Sequence, residues 1–201
     1  MELTQAIKER RSIRKFKEDP ITDEMIEQLL TAARLAPSGS NIQPARFVVV
    51  KNPAMREKVG TSTPYKFITR APVIFACCAD RASLATRDKR VGELLEIGAF
   101  TDVEMDPTDS NPYSAAQMDD FAARAYLSMN AAIAIEHMVL RAVDLGLGTC
   151  WIGRFDRERV REVLELDEDI HIVALLPVGY PDQSPPQRPR IPLERLVLKT
   201  V

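Results

Sequence analysis

The chain has 201 residues, 45% of them hydrophobic and 28% charged, with a formal net charge of -2. This size and composition fit one globular domain with a real core, and the near-balanced charge excludes a global attraction to nucleic acid or to an anionic membrane. Any local concentration of positive charge therefore needs a local explanation, either a ligand or solvation.

The first residues, Met1 to Gln5, are polar and lack the apolar run of a secretory signal. Glu2 to Arg11 patterns as a short helix with Leu3, Ala6, Ile7 and Arg10 on one face. Pro20 and Ile21 stop it, and Thr22 is placed to cap a second helix. Asp23 and Glu24 lie in that helix's first turn, where negative charge suits the helix dipole. Ile26, Leu29, Leu30 and Ala33 continue the second helix, and Pro37 and Gly39 end it. Arg46 to Lys51 reads as a strand, Pro53 to Val59 as a short helix, and Pro72 to Ala79 as a buried strand. From Arg81 to Gln117 the pattern weakens. Leu94, Leu95 and Ile97 fit a helix, and Asp106 to Pro112 is a loop.

Met118 to Leu145 is the longest helical pattern. Phe121, Ala125, Met129, Ile133, His137 and Leu140 share one broad face, and Ala131 to Ile135 is apolar nearly all round, so this helix is expected to run through the interior. Gly146 is its expected cap. Thr149 to Ile152 reads as a short strand, Asp156 as the cap of another helix, and His171 to Val178 as a central strand covered on both faces. A proline-rich arm from Pro181 to Pro192 is stiff and extended, able to reach across a dimer. Leu196 to Leu198 is a candidate last strand. Helices around a small mixed sheet give an α+β or α/β sandwich.

Four separated segments carry chemistry. Arg10, Arg11, Ser12 and Arg14 offer planar guanidinium forks and a hydroxyl that fit phosphate oxygens; a solvated basic helix end explains the same residues. Pro37, Ser38, Gly39, Asn41 and Gln43 lie in a run rich in donors and acceptors, where Gly39 permits positive φ and close backbone approach and the amides match the mixed edge of a heterocycle. An ordinary helix-to-strand turn has the same composition. Gly148 to Gly153 lets backbone lie against a flat ring, with Trp151 bounding the pocket, or else forms a core strand. Arg188 and Arg190 lie two apart on the arm and point to one side if it is extended, as phosphate ligands or as solubilising charge.

Other chemistries find little support. Cys77 and Cys78 lie in an apolar run, and with Cys150 they form no CxxC, so neither zinc nor a disulfide framework is expected. His137 and His171 lack a nearby ligand cluster, so no metal site is expected, and His137 is read as a core-facing, hydrogen-bonded residue. There is no GxGxxG after a strand, no P-loop and no G-x-S-x-G. No apolar stretch approaches the roughly eighteen residues of a membrane span, and a cytoplasmic setting is the expectation.

In order and spacing, Arg10-Arg11-Ser12-Ile13-Arg14-Lys15-Phe16, Ala36 to Pro44, Leu145 to Gly153, Val178-Gly179-Tyr180-Pro181 and Arg190 to Glu194 resemble the nitroreductase family of FMN-dependent oxidoreductases. The resemblance implies a single domain over residues 1–201 with an α+β, three-layer fold, a central mixed sheet flanked by helices. It implies a homodimer with an exchanged C-terminal arm, residues 181–201, and an FMN site at the subunit interface. Arg10, Arg11, Ser12 and Arg14 then resemble contacts to the phosphate, ribityl chain and ring edge. Pro37, Ser38, Gly39, Asn41 and Gln43 resemble the segment supplied by the other subunit. Trp151, Ile152 and Gly153 resemble the backbone against the ring, and Arg188 and Arg190 the terminal phosphate grip. Lys66 is a further candidate ring contact.

The implied activity is hydride transfer from NADH or NADPH through FMN to a small organic acceptor, a nitroaromatic or quinone, by a ping-pong mechanism. Other flavin chemistry on the same fold, such as dehalogenation or flavin fragmentation, and non-catalytic flavin binding are the alternatives. Residues 81–117 depart from the family pattern and read as a variable lid-like insertion. No nucleic-acid or membrane partner is implied.

Overall fold

The computed structural model describes residues 1–103 and 118–201. The loop expected at Asp106 to Pro112, and the rest of the expected insertion from 104 to 117, lie outside the described residues. Among the described residues, six α-helices and four strands run in the order α1 Leu3–Glu9, α2 Asp23–Arg34, β1 Ala45–Val50, α3 Pro53–Gly60, β2 Val73–Asp80, α4 Arg87–Glu96, α5 Asp120–Asp144, β3 Gly148–Thr149, α6 Arg157–Leu164 and β4 Ile170–Gly179. No described helix is long and apolar enough to cross a membrane.

Local chemistry sets the helix boundaries. Thr22, Asn52, Asp119 and Asp156 each accept a hydrogen bond from the amide three residues on, satisfying one of the orphan donors at the start of α2, α3, α5 and α6. Gly146, at φ 73°, turns the chain out of α5.

The strand order is β1-β2-β4-β3, and every strand pair is antiparallel. Among the described residues the parallel component of the sheet is confined to a bridge between Ser12 and Thr149. The central strand β2 is buried from Val73 to Ala79, so its side chains alternate into two separate cores. Val73, Phe75 and Cys77 face α2 and α5, where they meet Leu29, Ile135, Met138 and Leu176. Ile74, Ala76 and Cys78 face α3 and α6, where they meet Val59, Val160 and Leu175. A bulge where Cys77 pairs with Ala174 but Cys78 with Ile172 shifts the alternation of β4, so Ile172 and Leu175 share a face. Each fully buried Leu, Ile or Phe in these layers contributes about 1.5–3 kcal/mol relative to exposure. Burial pushes the Cys78 thiol up to about 12 and that of Cys77 well up too, so both pack as inert apolar groups.

Three expectations are corrected. Leu196 to Leu198 is no strand. A single 3-10 turn, Leu193–Arg195, precedes it, Leu198 is 99% exposed, and among the described residues it pairs with no strand. The α5 face drawn through Phe121, Ala125, Met129 and Ile133 is the exposed one, with Phe121 at 83%. Ala123, Leu127, Asn130, Ala131, Ala134 and Met138 form the buried face instead. His137 lies on the exposed side and does not face the core.

His171, half-buried at the start of β4, meets the Ser128 hydroxyl through Nε2 at 3.0 Å. Burial, then the positive charges of Arg124, Arg157 and Arg161, push its pKa below the usual 6.5 against an opposing pull from Asp120. The unfolded chain therefore takes up a proton at higher pH than the folded one, so stability is full above that value and declines as the pH falls through it. His171→Gln keeps an amide within reach of Ser128 and removes the titration. Thermal melts at about pH 7.5 and about pH 5.5 are expected to show a smaller loss of Tm on acidification in the variant than in the parent.

Candidate functional site

Backbone pairing builds the site by lashing residues 12–17 to two other parts of the chain. The Ile13 amide donates to Thr149 O at 2.8 Å, Lys17 N to Tyr180 O at 2.9 Å, and Asp182 N to Lys15 O at 2.9 Å. The basic run after α1 thus lies beside β3, and the arm leaves β4 directly alongside it. Gly148 makes the first contact possible. A Cβ there would stand 2.5 Å from the Ile13 side chain, so this glycine admits Ile13 and not a flat ring.

The result is a cavity of about 520 Å³ lined by Arg10, Arg11, Ser12 and Arg14 from the first segment and Arg188 and Arg190 from the arm. Lys8, which the sequence reading passed over, also lines it. None of these five arginines pairs with a carboxylate among the described residues. Elsewhere Arg46, Arg81, Arg87, Arg90, Arg124, Arg141, Arg159 and Arg161 do, whereas Arg34, Arg56, Arg70, Arg154, Arg157 and Arg195 likewise have no carboxylate partner among the described residues but do not line this cavity. Arg11, Arg14 and Arg190 instead donate to nearby main-chain carbonyls, which orients each guanidinium without neutralising it. Like charges gathered without counter-charge repel one another, and an anion in the cavity relieves that repulsion.

Cys150 lies at the edge of this cradle. Burial raises its pKa, while Arg14, Arg188 and a hydrogen bond with Ser12 pull it down. Trp151 beyond it is 38% exposed, whereas Ile152 is buried. The Ile152 amide donates to Leu175 O and its carbonyl accepts from Leu175 N, so the backbone of Ile152 is fully committed to β4. The amides of Trp151 and Gly153 have no acceptor among the described residues.

The polar turn lies elsewhere in the same chain. Pro37, Ser38 and Gln43 line a separate cavity of about 190 Å³ with Asn130. Ser40, Asn41 and Gln43 hold φ values of 50°, 53° and 47°. Three non-glycine residues in the left-handed region within four positions mark a strained segment of the kind that clusters at binding sites. Gly39 itself does not adopt the positive φ expected of it. It is needed for close approach, since a Cβ there would meet the Tyr126 hydroxyl at 2.1 Å. The Gly39 amide donates to the Asn130 side chain at 2.7 Å. Ser38 uses its hydroxyl internally, accepting from Gln43 N at 2.9 Å. Asn130 was not anticipated, although a polar residue inside the apolar run of α5 is a readable signal.

The sequence matches the family model described as the nitroreductase family over residues 7–180. A Thermus thermophilus protein named NADH dehydrogenase is 34% identical over 97% of this chain and 94% of its own length. A Bacillus subtilis protein named FMN reductase (NAD(P)H) is 27% identical over 96% of this chain and 71% of its own. Among solved structures, a Desulfovibrio desulfuricans protein described as a nitroreductase in complex with FMN aligns with 100% of this chain and 98% of its own, at a TM-score of 0.75 and 26% identity.

The contact between the turn and α5 gives a direct test. Gly39→Ala is expected to destabilise the protein by about 1–3 kcal/mol, the usual cost of overpacking. Adding Tyr126→Phe removes the atom that the new methyl meets, and recovery of part of that loss in urea unfolding is the expected result.

Proposed function

The chain belongs to the nitroreductase family, and on that premise we propose that it is an FMN-dependent oxidoreductase that uses NADH or NADPH to reduce a small organic acceptor and works as a homodimer. One observation carries the reading: five guanidinium groups without carboxylate partners among the described residues converge on one cavity. The residues present fit FMN. Arginine forks and the Ser12 hydroxyl suit a doubly charged phosphate and the chain attached to it. Beside them lie the Trp151 side chain and the uncommitted amides of Trp151 and Gly153, which suit a flat, partly apolar ring with acceptor atoms on its edge.

In this reading each residue has a separate task. Arg10, Arg11, Arg14, Arg188 and Arg190 neutralise the phosphate. Gly153 or Trp151 offers a backbone donor to the ring, on a segment fixed by the bridge between Ile152 and Leu175. Asn41 and Gln43 supply amides to the ring edge. Bound there, FMN would supply hydride-transfer chemistry between NAD(P)H and a nitroaromatic, quinone or similar acceptor in a ping-pong exchange. The chain contributes binding, orientation and electrostatics, which explains the lack of a protein nucleophile among the segments identified.

Two features support the dimer. The turn and the arginine cradle face different cavities in one chain, so a second subunit is needed for both to reach one ligand. Phe121, Met129 and Ile133 on α5, and Leu193, Leu196 and Leu198 on the arm, present large apolar surfaces to solvent, more than a stable monomer of this size readily leaves open. Residues 1–201 form one FMN-binding domain in this reading, with 181–201 as the arm.

Arg14→Ala and Arg190→Ala test the phosphate assignment. Each removes a charge-assisted contact and is expected to cost about 1.5–3 kcal/mol of FMN binding, roughly ten- to hundredfold in dissociation constant. Fluorescence titration of the apoprotein measures this directly. Unchanged affinity in both variants contradicts the assignment.

A further inference from the structure

Asn130 is 2% exposed in the middle of α5, among Leu127, Ala131 and Ala134. Packing alone is better served there by an apolar side chain, because a buried amide must have both ends satisfied. Both are. Oδ1 accepts from the Gly39 amide at 2.7 Å, and Nδ2 donates to Tyr126 O at 2.8 Å. The amide orientation is fixed chemically, since a main-chain N–H only donates and a carbonyl only accepts. The Tyr126 ring, one helical turn earlier on the same side of α5, closes on Gly39 so tightly that no Cβ fits. Together the two residues clasp the first residue of the turn.

Beyond Gly39 the turn is strained at Ser40, Asn41 and Gln43. Its own bonds, Asn41 N to Ser38 O and Ile42 N to Gly39 O, close the loop on itself and do not fix it to the body of the protein. Buried Ile42 plugs it into the core at one end, where Arg46 Nη1 also donates to Gln43 O at 2.9 Å, and the Asn130 clasp fixes the other. The next residue round the helix, Met129, belongs to the exposed stripe with Phe121, Ala125 and Ile133. One rigid helix therefore carries the turn on its inner side and the proposed dimer face on its outer side.

We propose that Asn130 is a positioning residue for the cofactor site of the partner subunit: it holds the Gly39 turn to α5 in its left-handed form, so that docking α5 on a second copy delivers Asn41 and Gln43 to that copy's arginine cradle. This rests on the reading that the chain is a dimeric FMN protein. Asn130 need not touch FMN. Its effect is exerted through the turn and across the interface.

The test uses full-length protein and FMN uptake, not turnover. Asn130→Ala homodimers are expected to bind FMN about tenfold more weakly than the parent, through loss of a buried hydrogen bond. The decisive experiment co-expresses differently tagged Asn130→Ala and Arg14→Ala subunits and isolates the mixed dimers. In a two-fold dimer with composite sites, one site then carries both defects and the other neither, so at an FMN concentration near the wild-type Kd, where both variant homodimers are mostly empty, the mixed dimers are expected to take up about half as much FMN as wild type. A turn that serves its own subunit leaves one defect in each site, and mixed dimers that take up no more FMN than the parents overturn the proposal. A defect of folding alone lowers the stability of every dimer that contains it and restores no site. Should Asn130→Ala yield no folded dimer, Asn130→Ser takes its place under the same criterion. Wild-type protein that takes up no FMN defeats the underlying reading. Wild-type uptake with an Asn130 variant of unchanged affinity defeats the Asn130 assignment alone.

Discussion

The site depends on the backbone lash that runs from Ser12 to Lys17. Pairing of Ile13 with Thr149, and of Lys15 and Lys17 with Asp182 and Tyr180, inserts the N-terminal segment between β3 and the exit of β4. Main-chain bonds set the position, so the arginine side chains are free for a ligand. The lash also explains why residues at opposite ends of the sequence share a cavity. Arg10 and Arg14 enter from one side of it, and Arg188 and Arg190 from the arm that begins where the lash ends. Without it, the arginines would be separate solvated charges, each of little energetic consequence.

Helix α5 is the second organiser. Its buried face completes the core against Phe75, Cys77 and Leu176, while Asn130 and Tyr126 take hold of the polar turn. Its outer face remains apolar and uncovered in a single chain. A helix that is apolar nearly all round either crosses a core or lies between two bodies. In the proposed dimer the second case accounts for both the exposed stripe and the separation of the turn from the arginine cradle.

The boundaries legible in the sequence were those set by neighbours in the chain. Thr22 and Asp156 cap helices because an N-cap bond spans three residues, and the strands at β1, β2 and β4 stand out as β-branched runs between breakers. What could not be read depended on distant partners. The apolar period of α5 is the same on its core and outer faces, so pattern alone assigned Phe121, Met129 and Ile133 to the interior. Of the two freedoms read at Gly39, positive φ is not used and close approach is, although the neighbour that demands it, Tyr126, lies far off in the sequence. Leu196 to Leu198 has strand-like composition but pairs with no strand among the described residues. Convergence of Arg10 to Arg14 with Arg188 and Arg190 was expected through the family resemblance; either run alone reads equally well as solvated charge.

The central claim is that these segments enclose one flavin mononucleotide that exchanges hydride with a nicotinamide donor. The absorption spectrum of the purified protein, recorded with FMN and then after anaerobic addition of NADH or NADPH, tests it most directly. The account predicts the bands of protein-bound oxidised flavin, bleached by one or both donors and restored by a quinone. A preparation that stays colourless after incubation with excess FMN, or bound flavin that neither donor bleaches, would contradict it.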